Sequence, residues 1–180
     1  FDFHGNVLLD DTLLQEISAS ERIYIVACGT SYNAGLASKD FFETLTKVPV
    51  EVHLASEFGY YTPILAKKPF FIYLSQSGET ADSRQVLVKT NQLGAPSLAI
   101  TNVPGSTLAR EAKYALSLEA GPEIAVASTK AYTAQIALLS ILAYAIQLEK
   151  EDSQLNLLQE LTLVEEAMTQ VLTQKEHFHQ

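Results

Sequence analysis

Apolar residues along this chain follow two rhythms, short unbroken runs and longer stretches in which they recur every third or fourth position. The runs at Arg22 to Ala27 (Ile23-Tyr24-Ile25-Val26), 70–74, 97–101 and 114–118 read as buried strands, and Val50 to Ala55 alternates as another. Between them lie helical patterns. Leu13, Leu14 and Ile17 share one side of a turn or two in an irregular lead-in. A helix is expected from about Ser31 to Thr46, with Leu36, Phe41, Phe42 and Leu45 on its apolar face, until Val48-Pro49 breaks it. Ser56-Glu57-Phe58 opens a short helix that Pro63 disturbs, and another runs from about Ala81 to Leu93. After Gly121-Pro122 a long apolar helix extends to about Lys150. Asp152-Ser153 can cap a last one, with Leu157, Leu161, Val164, Met168 and Val171 at helical spacing. That helix is either packed on the sheet from the surface or part of an interface with a second domain or subunit. Continuously apolar strands separated by helices imply parallel pairing with helices on both faces. The expected fold class is α/β, a three-layer α/β/α sandwich around a five-stranded parallel sheet.

Composition narrows the function more than the fold. At 180 residues, 47% of them hydrophobic, the chain suits one domain with a sizeable core. The expected division is a lead-in over 1–20, the sheet domain over 21–150 and an amphipathic tail helix over 151–180. A net charge of −9 speaks against a nucleic-acid partner. It leaves room for a small anion, because exposed charges are screened beyond roughly 8–10 Å and local donors can dominate in a crevice. The single cysteine, Cys28, allows no internal disulfide, and no Cys/His cluster has zinc-ligand spacing. Phe1-Asp2-Phe3-His4 carries neither a basic nor an apolar leader, so a cytoplasmic protein is expected. The segment 131–148 is the most apolar, but Gln135, Ser140 and Gln147 interrupt it, and a bilayer span needs about 20 predominantly apolar residues. It reads as a helix of the core or of a subunit interface, with no membrane partner.

The candidate chemistry lies where strands end. In an open parallel sheet, ligands bind beyond the carboxyl ends of the strands, near the switch in strand order. The polar turns 28–31, 75–80 and 102–106 fall there. The first two each end an apolar strand and place hydroxyls immediately before a helix, whose first N–H groups and dipole favour an anion. Together, Thr30, Ser31, Ser75, Ser77 and Thr80 could hold a phosphate without any lysine. The plainer alternative is that Ser77 or Thr80 merely caps the following helix. Neither a Walker loop nor a dinucleotide fingerprint is present. Cys28 is a candidate nucleophile or a small packing residue. His53 sits in a strand, and His177 and His179 in a polar tail, without a recognisable triad. Glu57 and Glu123 are candidate bases or helix-start charges, Lys130 a candidate anion partner or an exposed first-turn residue. The turn 102–106 either walls the crevice or simply connects two elements.

At these positions the chain resembles the sugar isomerase (SIS) domain family. The resemblance rests on Cys28-Gly29-Thr30-Ser31-Tyr32, Ala55-Ser56-Glu57-Phe58, Ser75-Gln76-Ser77-Gly78-Glu79-Thr80-Ala81-Asp82, Asn102-Val103-Pro104-Gly105-Ser106 and Val126-Ala127-Ser128-Thr129-Lys130, in this order and at similar spacing over about residues 20–150. Within that family it is most similar to the first of the two SIS domains of the glucosamine-6-phosphate synthases. The resemblance implies a flavodoxin-like architecture. It implies that Ser31, Ser75, Gln76, Ser77 and Thr80 bind a sugar phosphate, and that Thr30, Val126 and Ser128 line the sugar. In that family ammonia from a glutaminase domain aminates fructose 6-phosphate, which is isomerised to glucosamine 6-phosphate. No metal or organic cofactor is implied, and a homodimer is expected. The glutaminase domain, the second SIS domain, the Schiff-base lysine and the proton-moving glutamate have no counterpart in these 180 residues, so no catalytic residue is assigned. The alternatives are a stand-alone phosphosugar-sensing module and a ketose or aldose phosphate isomerase or deglycase.

Overall fold

A computed structural model describes residues 9–123, 128–150 and 157–174. Five strands form one sheet: β1 (Arg22–Ala27), β2 (Val50–Leu54), β3 (Pro69–Ser75), β4 (Ser97–Thr101) and β5 (Tyr114–Ser117). Their order is β2-β1-β3-β4-β5 and every neighbouring pair is parallel. The helices are α1 (Asp11–Ser18), α2 (Gly29–Thr46), α3 (Ala55–Tyr60), α4 (Ala81–Gln92), α5 (Thr107–Glu111), α6 (Lys130–Lys150) and α7 (Leu157–Thr173). The chain winds outward from β1 to β2 in one direction and from β3 to β5 in the other. The order therefore reverses between β1 and β3.

The alternation of side chains along each strand divides the core in two. Ile23, Ile25 and Ala27 of β1, with Phe70, Ile72 and Leu74 of β3, face Leu13 and Ile17 of α1, Phe42 of α2 and Leu139, Leu142 and Ile146 of α6. Tyr24, Val26, Phe71 and Tyr73 face the other way, onto Phe58 of α3, Val86 and Leu87 of α4 and Leu108 of α5. Both faces are covered, which is why the central strands β1, β3 and β4 carry no polar alternation, whereas the edge strand β2 does. Each fully buried Ile, Leu or Phe contributes roughly 1.5–3 kcal/mol by leaving water, so this double core holds the strand ends in place.

Three expectations change. Helix α2 starts at Gly29, earlier than Ser31, because Gly29 takes φ 58° and lets the chain turn directly out of β1. Strand β2 stops at Leu54, and Ala55 already belongs to α3. Helix α7 does not pack on the sheet. It meets α6 and leaves Val164, Met168 and Val171 more than half exposed. The proposed cap at Asp152-Ser153 lies outside the described residues. The lead-in also holds a cap that pattern reading passed over: Asp10 accepts hydrogen bonds from the amides of Thr12 and Leu13 at 2.8 and 3.2 Å and starts α1.

By length and apolarity α6 could cross a bilayer. In the fold, Ala131, Gln135, Leu139, Leu142, Ala143 and Ile146 form a buried stripe along it, and it packs against α2. This is the core placement expected for 131–148.

Candidate anion site at the switch in strand order

The register Ala27 to Leu74, the last pair between two strands about 4.8 Å apart, is followed by Cys28 just past the end of β1 and by Ser75 at the end of β3. Helix α2 leaves from one and the turn into α4 from the other, on opposite faces of the sheet. Both helix starts thus lie at the carboxyl edge of the sheet on either side of the switch in strand order, where open parallel sheets place their ligand crevice. Tyr32 is the first residue of α2 whose amide bonds back to the turn, at 3.4 Å to the Cys28 carbonyl, and Arg84 is the first in α4, at 3.0 Å to the Thr80 carbonyl. The amides of Gly29, Thr30 and Ser31, and those of Ala81, Asp82 and Ser83, have no protein acceptor among the described residues.

Neither suspected cap is formed. Thr80 occupies the N-cap position of α4 but its side chain bonds to no helix amide. Ser77 instead accepts from the Glu79 amide at 3.2 Å. Ser75, only 3% exposed, accepts from the Gly78 amide at 3.0 Å and lies 2.9 Å from the Thr80 hydroxyl. Each serine thus accepts a bond from its own turn. With the Ser75 proton given to Thr80, the hydroxyl protons of Ser77 and Thr80 remain for a ligand. Across the crevice Ser31, 6% exposed, accepts from Gln135 Nε2 of α6 at 2.9 Å. The array offers donors, the polarity a phosphate dianion requires.

The turn 102–106 is a brace, more than a connection. The Gln76 carbonyl accepts from the Asn102 amide at 3.0 Å, the Gly78 carbonyl from Leu108 at 3.0 Å, and the Glu79 carboxylate from the Thr107 amide at 2.8 Å. Gly78, at φ 66°, lies so close that a Cβ would sit 2.0 Å from Ser106 Oγ. The Asn102 side chain also reaches the segment after β5. Its Oδ1 accepts from Ala120 at 2.9 Å and its Nδ2 donates to the Gly121 carbonyl at 2.7 Å. Asn102 and Gln135 are residues that sequence reasoning missed as supports. Asparagine in a turn signals nothing beyond the turn, and a glutamine in an apolar helix read only as an interruption.

The other candidates separate. Glu123 accepts from Ser128 Oγ at 2.6 Å and from the Thr129 amide at 2.9 Å, and these bonds hold its carboxyl below the usual range. It is a helix-start carboxylate for α6. Lys130 donates to the Pro122 carbonyl. Glu57 is exposed in the first turn of α3. Cys28 is half-buried against the second core cluster and burial pushes its thiol up, which favours packing over nucleophilic chemistry. His53 stacks on Tyr24 with centroids 6.0 Å apart and sits 2.9 Å from the Glu51 carboxylate. Ser128 thus lies at the start of α6, bonded to Glu123, while Thr30 is half-buried in the first turn of α2. Val126, His177 and His179 lie outside the described residues. Among the described residues no cluster of His, Cys, Asp and Glu could hold a metal. A more apolar groove of about 580 Å³ opens at the opposite end of the sheet, beside Lys67, Lys68, Pro69 and Pro96. It precedes the strands and has no array of hydroxyls and helix amides.

Known proteins share this chain's sequence and fold. The chain is 61% identical over 176 residues to a glutamine–fructose-6-phosphate aminotransferase (isomerizing) of Bacillus thuringiensis, a match that covers 97% of this chain and 29% of that protein. It is 57% identical to the protein of that name from Streptococcus mutans, over 96% of this chain and again 29% of the relative. The chain therefore spans less than a third of the length of these relatives. Among solved structures, the C-terminal domain of glucosamine-fructose-6-phosphate aminotransferase from Francisella tularensis superposes with a TM-score of 0.80 at 38% identity, over 91% of this chain and 46% of that one. The five-stranded parallel sheet is common to both sequence expectation and structure. The SIS domain profile matches residues 16–145, from the end of α1 through most of α6, and the chain belongs to the SIS domain family.

Proposed function

We propose that this chain is the phosphosugar-binding SIS domain of a glutamine–fructose-6-phosphate aminotransferase, and that it holds fructose 6-phosphate or glucosamine 6-phosphate without turning it over by itself. Ser31, Ser75, Gln76, Ser77 and Thr80 hold the phosphate, and Thr30, Val126 and Ser128 line the sugar. The observation that carries the reading is the Ala27 to Leu74 register, which sets two helix starts with unpaired amides on either side of one crevice. The names of the relatives support the choice of sugar. In the whole protein a glutaminase domain would supply ammonia and a second SIS domain the remaining catalytic groups, with amination and isomerisation as the net reaction. A homodimer and a cytoplasmic location belong to the same proposal.

Calorimetric titration tests it. Fructose 6-phosphate should bind saturably and fructose should not, whereas indistinguishable heats for the two would reject the anion seat. Ser77→Ala should weaken phosphosugar binding by about 1–3 kcal/mol, the range for removing one partner of a hydrogen bond and leaving the other unsatisfied. Unchanged affinity would reduce that hydroxyl to a support of its own turn.

A further inference from the structure

Gln135 is out of keeping with its surroundings. It lies on the buried stripe of α6 between Ala131 and Leu139, is 1% exposed, and its Oε1 meets no partner among the described residues. An apolar side chain there would avoid the desolvation of an amide. What the amide does have is Ser31, one hundred and four positions away in sequence, with Nε2 2.9 Å from Oγ. A serine hydroxyl carries one proton and two lone pairs. If that proton is to reach an anion, the neighbour at hydrogen-bond distance must itself be a donor, and a glutamine NH₂ meets the requirement. The reverse amide orientation would draw the Ser31 proton toward Oε1 and leave the anion facing lone pairs.

We propose that Gln135 is a positioning residue of the anion seat: it donates to Ser31 and so holds the Ser31 hydroxyl as a donor to the ligand phosphate. The inference rests on the phosphosugar reading above and extends it from the crevice to the core helix behind α2. A buried polar group that costs stability but orders a site is a pattern expected where function overrides packing. Selectivity follows from the same geometry, since a ligand lacking an anionic acceptor gains nothing from an oriented Ser31 proton.

The test is a double-mutant cycle on the full 180-residue chain with fructose 6-phosphate as the titrant. Gln135→Met keeps the volume and removes the donor, and should lower affinity about tenfold. Gln135→Glu keeps the shape but presents an acceptor to Ser31, and should lower it further. Ser31→Ala/Gln135→Met should bind no more weakly than Ser31→Ala alone, because Gln135 acts through Ser31. Losses that add independently would make Gln135 a packing residue and overturn the proposal, as would wild-type affinity in Gln135→Met. Should the Met variant fail to fold, wild-type affinity in Gln135→Glu overturns it equally. Absence of phosphosugar binding in the wild-type chain would remove the underlying reading of the crevice. Binding in the wild type together with an indifferent Gln135 would remove only this inference.

Discussion

At Glu123 one carboxylate shows how a residue read as a candidate base becomes part of the scaffold. Its two oxygens are engaged by the Ser128 hydroxyl and the Thr129 amide, and the Ser128 bond is the main reason its proton affinity is lowered from the ordinary value of 4.5. A lowered folded-state value means that the ionised form is favoured by folding. The contribution is therefore full above about 4.5 and disappears as pH falls through the lower folded value. In urea denaturation followed against pH, the gap between wild type and Glu123→Gln should be constant near neutrality and close on acidification. A gap that persists into acid would deny that the ionised carboxylate matters. Glu79 works the same way, held low chiefly by its bond to Thr107. The hydroxyls of the turn 75–80 were legible as a group, since serine and threonine between a strand and a helix leave few other readings. Their partners were not legible, because Ser106 and Thr107 follow the next strand, and nothing local marks them as neighbours of Gly78 and Glu79.

Among the elements, α2 has the narrowest tolerance. A Cβ on Gly35 would lie 3.0 Å from both Ile25 Cγ2 and Val52 Cγ1, so the helix rests directly on β1 and β2. Gly35→Leu should lift α2 from the sheet and destabilise the fold by about 1–3 kcal/mol, the range for overpacking a well-filled core. Urea denaturation should show the loss, and phosphosugar affinity should fall with it because Ser31 rides on the same helix. An unchanged midpoint would mean that the helix can shift freely. The existence of α2, α4 and α6 was legible from their apolar spacing, whereas the first residue of α2 depended on a positive φ at Gly29. For α7 the spacing showed a face but not its cover. Val164, Met168 and Val171 recur at helical intervals, yet they remain exposed because α7 reaches α6 and not the sheet.

For the whole molecule, two outcomes separate a binding domain from a complete enzyme. Purified chain supplied with ammonia and fructose 6-phosphate should form no glucosamine 6-phosphate, and measurable product would reveal a proton-moving group absent from the assignments above. Sedimentation at micromolar concentration should show a dimer, and a monomer would remove that part of the proposal. Burial on both faces of a sheet leaves its mark in one dimension, as unbroken apolar runs between amphipathic stretches. The parallel α/β layering and the polar turns at the strand ends could therefore be read directly from residue order. Which ends become neighbours is a different kind of information. It depends on β1 pairing with both β2 and β3, on the two helices leaving by opposite faces, and on α6 returning to set Gln135 against Ser31. These are contacts between residues far apart in the chain. They are chosen by the joint packing of the whole core, and no local pattern records them.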